Sequence, residues 1–265
     1  MTDADALREG AIQDGVPAQP SPPPAPAPAA APADDGKVMS LVDHLSELRN
    51  RLFKVLLTVA VFSVVGGINS DQIIKLLAAP VPGGQLLNLG PGDAFAITLR
   101  VSIVTGVVLS MPVILYQLWA FVAPGLTAKE RKAIRPWIPL ALLFFAAGVA
   151  LAYFVLPYAM NFLLGFATGT FVNQLAAGPY FDFVTTMFLA FGIIMEFPIV
   201  LFALSRVNIV TSERLAAARR YVILGIVIFA AVATPGGDLV SPAVLTVTMY
   251  ALFEVTVWFI RRTGH

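Results

Sequence analysis

The chain has 265 residues, of which 58% are hydrophobic and 12% charged, with mean hydropathy +0.81. A soluble domain carries about 25% charged residues, so the composition points to membrane spans. The net charge of +1 and the absence of cysteine speak against a nucleic-acid binder relying on bulk electrostatics and exclude disulfides, zinc–thiolate sites and iron–sulfur clusters.

Residues 1–37 differ from the rest of the chain. They hold Asp3, Asp5, Glu9, Asp14, Asp34 and Asp35, and eight prolines stand among the sixteen residues from Pro17 to Pro32. Proline at this density blocks helices and ladders and favours extended polyproline II. The expectation is a disordered, semi-stiff acidic tail acting as a spacer. It is not a secretory signal, because its start is acidic and no apolar h-region follows.

From Met39 to Lys54 leucines 41, 45, 48 and 52 repeat at helical spacing, which predicts an amphipathic helix at the membrane surface running into the first span. Ser40 and Asp43 have the spacing of a capping box, and Glu47 stands four residues before Arg51. A helix needs about 20 apolar residues to cross a bilayer core. Six uncharged or nearly uncharged runs qualify or come close: 52–69, 95–122, 136–158, 180–205, 221–233 and 239–260. Residues 38–262 therefore form an all-α, six-span membrane domain, with 263–265 as a short end. Turn residues between Gly165 and Pro179 place a connection outside the membrane. The fifth and sixth spans are short, the fifth sharply bounded by the turn Thr234–Asp238. With the N-terminus inside, only Lys75 and Arg100 of the 17 Lys and Arg fall outside. The positive-inside rule then puts both termini in the cytoplasm.

Three acids stand out. Glu47 either pairs locally with Arg51 or offers a carboxylate at the membrane face. Glu130 is the lone acid of the basic loop 123–136, where Thr127-x-x-Glu130 also fits a capping box. Glu196 lies deep in an otherwise uncharged span, where an ionisable group is costly and marks a functional site by default; Pro198 beside it is placed to bend the helix. Two enzyme readings are weak. Gly90-Pro-Gly-Asp93 matches the GxGD string of intramembrane aspartyl proteases, which need a second embedded aspartate, and Asp182 is the sole loose candidate. A serine hydrolase needs a Ser–His pair, and His44 and His265 lie outside the spans. A secondary transporter using Glu196 would show inverted repeats, which the sequence lacks. No catalytic residue, metal site or cofactor is expected.

The strings SLVDHLSELRNRL (40–52), LGPGDAF (89–95), MPVILYQLWAFVAPGLTAKERK (111–132), AYFVLPYAMNFL (152–163), AFGIIMEFPIV (190–200), RRYVILG (219–225), TPGGD (234–238) and MYALFE (249–254) together resemble the TatC family. TatC is the polytopic component of the twin-arginine protein translocase. The resemblance covers nearly all of 39–262. It implies a concave, glove-like bundle of six helices with short fifth and sixth helices. It also implies a cytoplasmic-membrane receptor for folded precursors bearing twin-arginine signal peptides, working with TatA-like and TatB-like single-span partners, self-associating, and driven by the proton-motive force. By position it makes Glu47 and Glu130 the signal-binding carboxylates, supported by Arg49, Arg51, Phe121, Pro124 and Arg131. Glu196 becomes the intramembrane polar site, and Pro80, Asp93 and Asp238 the periplasmic structural positions. The chain departs from the family at Asp93, where Glu is common, and at Pro242, where some members carry Gln.

Overall fold

The computed structural model describes residues 41–81, 85–166, 174–206, 209–234 and 238–262. The proline-rich tail and Ser40 lie outside them. The described residues are almost wholly helical. α1 (Leu41–Ile68) is one undivided helix of 28 residues, so the amphipathic segment is its first turns rather than a separate surface element. No proline interrupts it, and its leucine spacing continues into the apolar run. α2 (Ser70–Ala78) is a short amphipathic helix that the span pattern does not reveal. α3 (Asp93–Val122) leads through a 3-10 turn (Ala123–Gly125) into α4 (Ala128–Ile134). α5 (Trp137–Leu164) follows, then α6 (Ala177–Ile194) and α7 (Phe197–Arg206). The short α8 (Ser212–Ala217), α9 (Arg219–Ala233) and α10 (Val240–Arg262) complete the unit.

α1, α3, α5, the α6–α7 pair and α10 are each long and apolar enough to cross a membrane. α9 has 15 residues, about 22 Å of helix, less than the roughly 30 Å of a bilayer core. α10, expected to be short like α9, has 23 residues and extends through Arg261 and Arg262 in its final turn.

Small residues set the closest approaches. A Cβ on Gly106 of α3 would stand 2.7 Å from the Ser63 backbone nitrogen of α1, and one on Gly148 of α5 would stand 2.9 Å from the Phe191 carbonyl carbon of α6. Such crossings replace the hydrophobic drive, which is absent in lipid, with van der Waals contact. The deepest side chains are Phe181, Phe191, Phe202, Phe253, Leu156, Met187 and Leu245, drawn from α5, α6, α7 and α10.

Two loops at one end are tied together. Leu87 N–H donates to the Leu175 carbonyl and Ala177 N–H to the Leu87 carbonyl, each at 2.8 Å. Tyr180 O–H donates to the Leu77 carbonyl at 2.6 Å, fixing α6 to α2. Pro80 follows α2, where its missing N–H helps to stop the helix.

Candidate functional site

Glu47 lies on the inner side of α1. Arg51, one turn on, donates to Glu47 Oε1 through Nε at 2.9 Å, and through Nη1 to Gln117 Oε1 of α3 at 3.1 Å. The pair foreseen at i,i+4 is therefore also a bridge between two helices. Glu47 Oε2 is buried and accepts no hydrogen bond. His44 Nδ1 stands 4.0 Å from it, and the His44 ring stacks on Phe121 with centroids 4.3 Å apart. Glu47, Arg51, His44, Gln117 and Phe121 thus form one cluster at the α1–α3 crossing.

Glu130 follows on α4. Thr127 Oγ1 accepts from the Glu130 N–H, while Glu130 Oε2 accepts from the Thr127 N–H and hydroxyl, both at 2.8 Å, completing a capping box. These donors, the hydroxyl first and the backbone N–H second, hold the Glu130 carboxyl below the ordinary range, because hydrogen bonds to the charged form favour it. α4 directly precedes the long apolar helix α5. Arg131 Nη2 donates to the Ala123 carbonyl at 2.8 Å, folding the loop back beside Pro124, which is exposed.

Arg49 is not part of this cluster. It is exposed and shares a shallow depression with Asn50, Phe53 and Lys54. Two residues along a helix turn a side chain through about 200°, so Arg49 faces away from Glu47.

Glu196 occupies the break between α6 and α7. Its N–H bonds to the Ile193 carbonyl at 3.1 Å, a tightened turn, and its Oε1 is buried without a partner. Pro198, in the first turn of α7, has no N–H to give to the Ile194 carbonyl, which is the physical reason the helix divides here.

The remaining acids lie elsewhere. Asp93 Oδ2 accepts from the N–H groups of Gly90 at 2.8 Å and Leu89 at 3.1 Å, closing the turn before α3. Asp182 is engaged with Arg100 in an ion pair between α6 and α3. Both aspartates of the protease reading thus have other partners. Asp238 is buried and caps α10, its Oδ1 accepting from Ser241 N–H at 2.6 Å. Among the described residues no group of three or more His, Asp or Glu side chains could hold a metal ion.

Sequence reasoning missed His44, Gln117 and the polar set Arg219, Glu254 and Tyr250. Gln117 is 66 residues from Arg51, so no local spacing reports the contact.

The family model for TatC, "Sec-independent protein translocase protein (TatC)", matches residues 43–247. The chain is 37% identical over 233 residues to the chloroplastic translocase protein TATC of Arabidopsis thaliana, covering 87% of this chain and 68% of that one. It spans 65% of the corresponding rice protein, so the match takes in about two thirds of the length of these plant relatives. Against the translocase protein TatCy of Bacillus subtilis it is 37% identical, covering 83% of this chain and 87% of that one. A crystal structure of the twin-arginine translocase receptor TatC superposes with a TM-score of 0.73 at 31% identity, covering 82% of this chain and 99% of that one. The series of long apolar helices, the family match over residues 43–247 and that superposition lead to one conclusion: the chain belongs to the TatC family of Sec-independent protein translocase components, multi-pass membrane proteins.

Proposed function

We propose that this chain is the signal-peptide receptor of a twin-arginine translocase in a bacterial cytoplasmic membrane, with Glu47 and Glu130 reading the paired arginines. The observation that carries the reading is the state of Glu47: Arg51 holds one carboxylate oxygen, and the second accepts no hydrogen bond. A buried carboxylate oxygen without a donor is costly, so the site gains when a guanidinium arrives. Arginine binds carboxylate with a planar, multi-donor fork that lysine lacks. Phe121 and His44 give that fork an aromatic wall. Glu130, kept ionised by its cap, supplies the second carboxylate on the loop that leaves α3. Arg51 and Arg131, already engaged, steer the arriving cations to these two acids, with Pro124 setting the turn between them.

The precursor is folded, and its apolar signal segment then lies along the spans. TatA-like and TatB-like single-span proteins pack beside the short α9 and its partner α10, and further copies of the chain join the assembly. Glu196 acts after recognition, within the membrane, using the proton-motive force rather than nucleotide. The protein performs no covalent chemistry on its cargo. Both termini are cytoplasmic, Pro80, Asp93 and Asp238 shape the periplasmic side, and residues 1–37 are a spacer.

The test is capture of a twin-arginine precursor by the detergent-purified full chain, set against the same precursor with Lys–Lys. Preferential retention of the Arg–Arg form is expected. Equal retention of both would overturn the assignment.

A further inference from the structure

The end of the α9–α10 hairpin carries a basic cluster that the recognition reading leaves unused. Arg219, the first residue of α9, donates through Nη2 to Glu254 Oε2 of α10 at 2.8 Å, and Tyr250 O–H donates to the other oxygen at 3.1 Å. That pairing fixes the start of α9 against the last turns of α10. Glu254, Trp258, Arg261 and Arg262 stand at i, i+4, i+7 and i+8, so they share one face of α10. The Arg262 guanidinium lies 4.8 Å over the Trp258 ring, and that of Arg220 lies 4.8 Å over Tyr221. Trp258 and Tyr221 are both exposed. Glu254 is already satisfied twice, and among the described residues Arg220, Arg261 and Arg262 form no ion pair.

Three guanidinium groups without an ion pair, two of them stacked on exposed aromatic rings, therefore line the start of α9 and the last turns of α10. Stacking holds Arg220 and Arg262 extended along aromatic faces while leaving their N–H edges free. The N-terminus of α9, which lacks a side-chain cap, adds a positive helix end beside Arg220. This arrangement matches a phosphodiester headgroup with acyl chains running down the outward apolar face of the hairpin, where Val247, Val255 and Leu224 are exposed.

We propose that Arg220, Arg261 and Arg262, with Trp258 and Tyr221, form a binding site for the headgroup of an anionic phospholipid at the end of the α9–α10 hairpin. Placing it in the cytoplasmic leaflet rests on the topology given above. The charge complementarity stands without it. A lipid held there would anchor the short α9 at a fixed depth, since 15 residues cannot reach both surfaces unaided.

Native mass spectrometry of the detergent-purified full chain, titrated with phosphatidylglycerol or phosphatidylcholine in the absence of precursor, tests this. The wild type should retain phosphatidylglycerol preferentially. Arg261→Gln/Arg262→Gln should weaken that retention about 25-fold, since each surface arginine contributes about fivefold. Arg220→Gln should weaken it about fivefold on the same scale. Arg261→Lys/Arg262→Lys keeps the charge and should lose less, and Lys75→Gln, a basic change on α2, should lose nothing. Equal retention of both lipids, undiminished retention by the glutamine variants, or displacement by millimolar inorganic phosphate would each overturn the site. Precursor capture by the same variants should stay at the wild-type level, so failure of the lipid site leaves the receptor reading standing.

Discussion

Glu47 and Glu130 are the two acids proposed to read the paired arginines, but their surroundings differ. Glu47 is shared with Arg51 and shielded by His44, while Glu130 is held by a threonine cap. Removing either carboxylate should weaken binding of a twin-arginine precursor about 10- to 100-fold, the range for a charge-assisted hydrogen bond. Site-specific cross-linking checks this, with membrane levels of the protein near normal. Glu47→Asp and Glu130→Asp should be partly active because the charge survives. If the alanine variants still separate Arg–Arg from Lys–Lys precursors at wild-type strength, the arginine reader lies elsewhere. Glu196 is a different case, since it stands at a helix break with a buried oxygen lacking a donor. Glu196→Ala should keep precursor capture and lose transport in vesicles, whereas Glu196→Gln should be milder if a neutral hydrogen-bonding group suffices. Full transport by both variants would reduce Glu196 to packing.

The helices themselves meet through glycine. At Gly106 and Gly148 the neighbouring backbone lies where a side chain would stand, whereas Gly225 of α9 has nothing within 4 Å of such a position. Gly106→Val and Gly148→Val should each cost about 1–3 kcal/mol by overpacking, seen as a lower unfolding midpoint in detergent. Gly225→Ala should leave the midpoint unchanged or raised. A Gly148→Val midpoint matching the wild type would mean that the α5–α6 crossing is looser than described. The α6–α7 break was legible in advance because Pro198 is a local cause. α2 was not, because nine residues of mixed polarity carry no span signal, and its place is fixed by the Tyr180 hydrogen bond to Leu77 from far along the chain.

Across the whole molecule, the Lys and Arg distribution predicts six crossings with both ends inside. Reporter fusions after Ile68, Thr168 and Gly237 should read periplasmic, and those after Lys132, Ser212 and His265 cytoplasmic. A cytoplasmic signal at Thr168 would break this topology. Deleting residues 2–36 should leave insertion and export intact, because this segment lies outside the family match over residues 43–247. Loss of export at normal protein level would instead give that segment a partner. The sequence by itself determined the membrane class, the Glu130 cap and the Glu47–Arg51 pair. Each of these depends on composition or on neighbours within one helical turn, and local physics writes such features directly into the residue order. Only the tertiary structure decided that Arg51 also reaches Gln117, that His44 covers the second Glu47 oxygen against Phe121, and that Arg219 locks α9 to α10 through Glu254. Those contacts join different helices at positions tens of residues apart, and their partners are chosen by how the helices cross, a geometry that no spacing along the chain encodes.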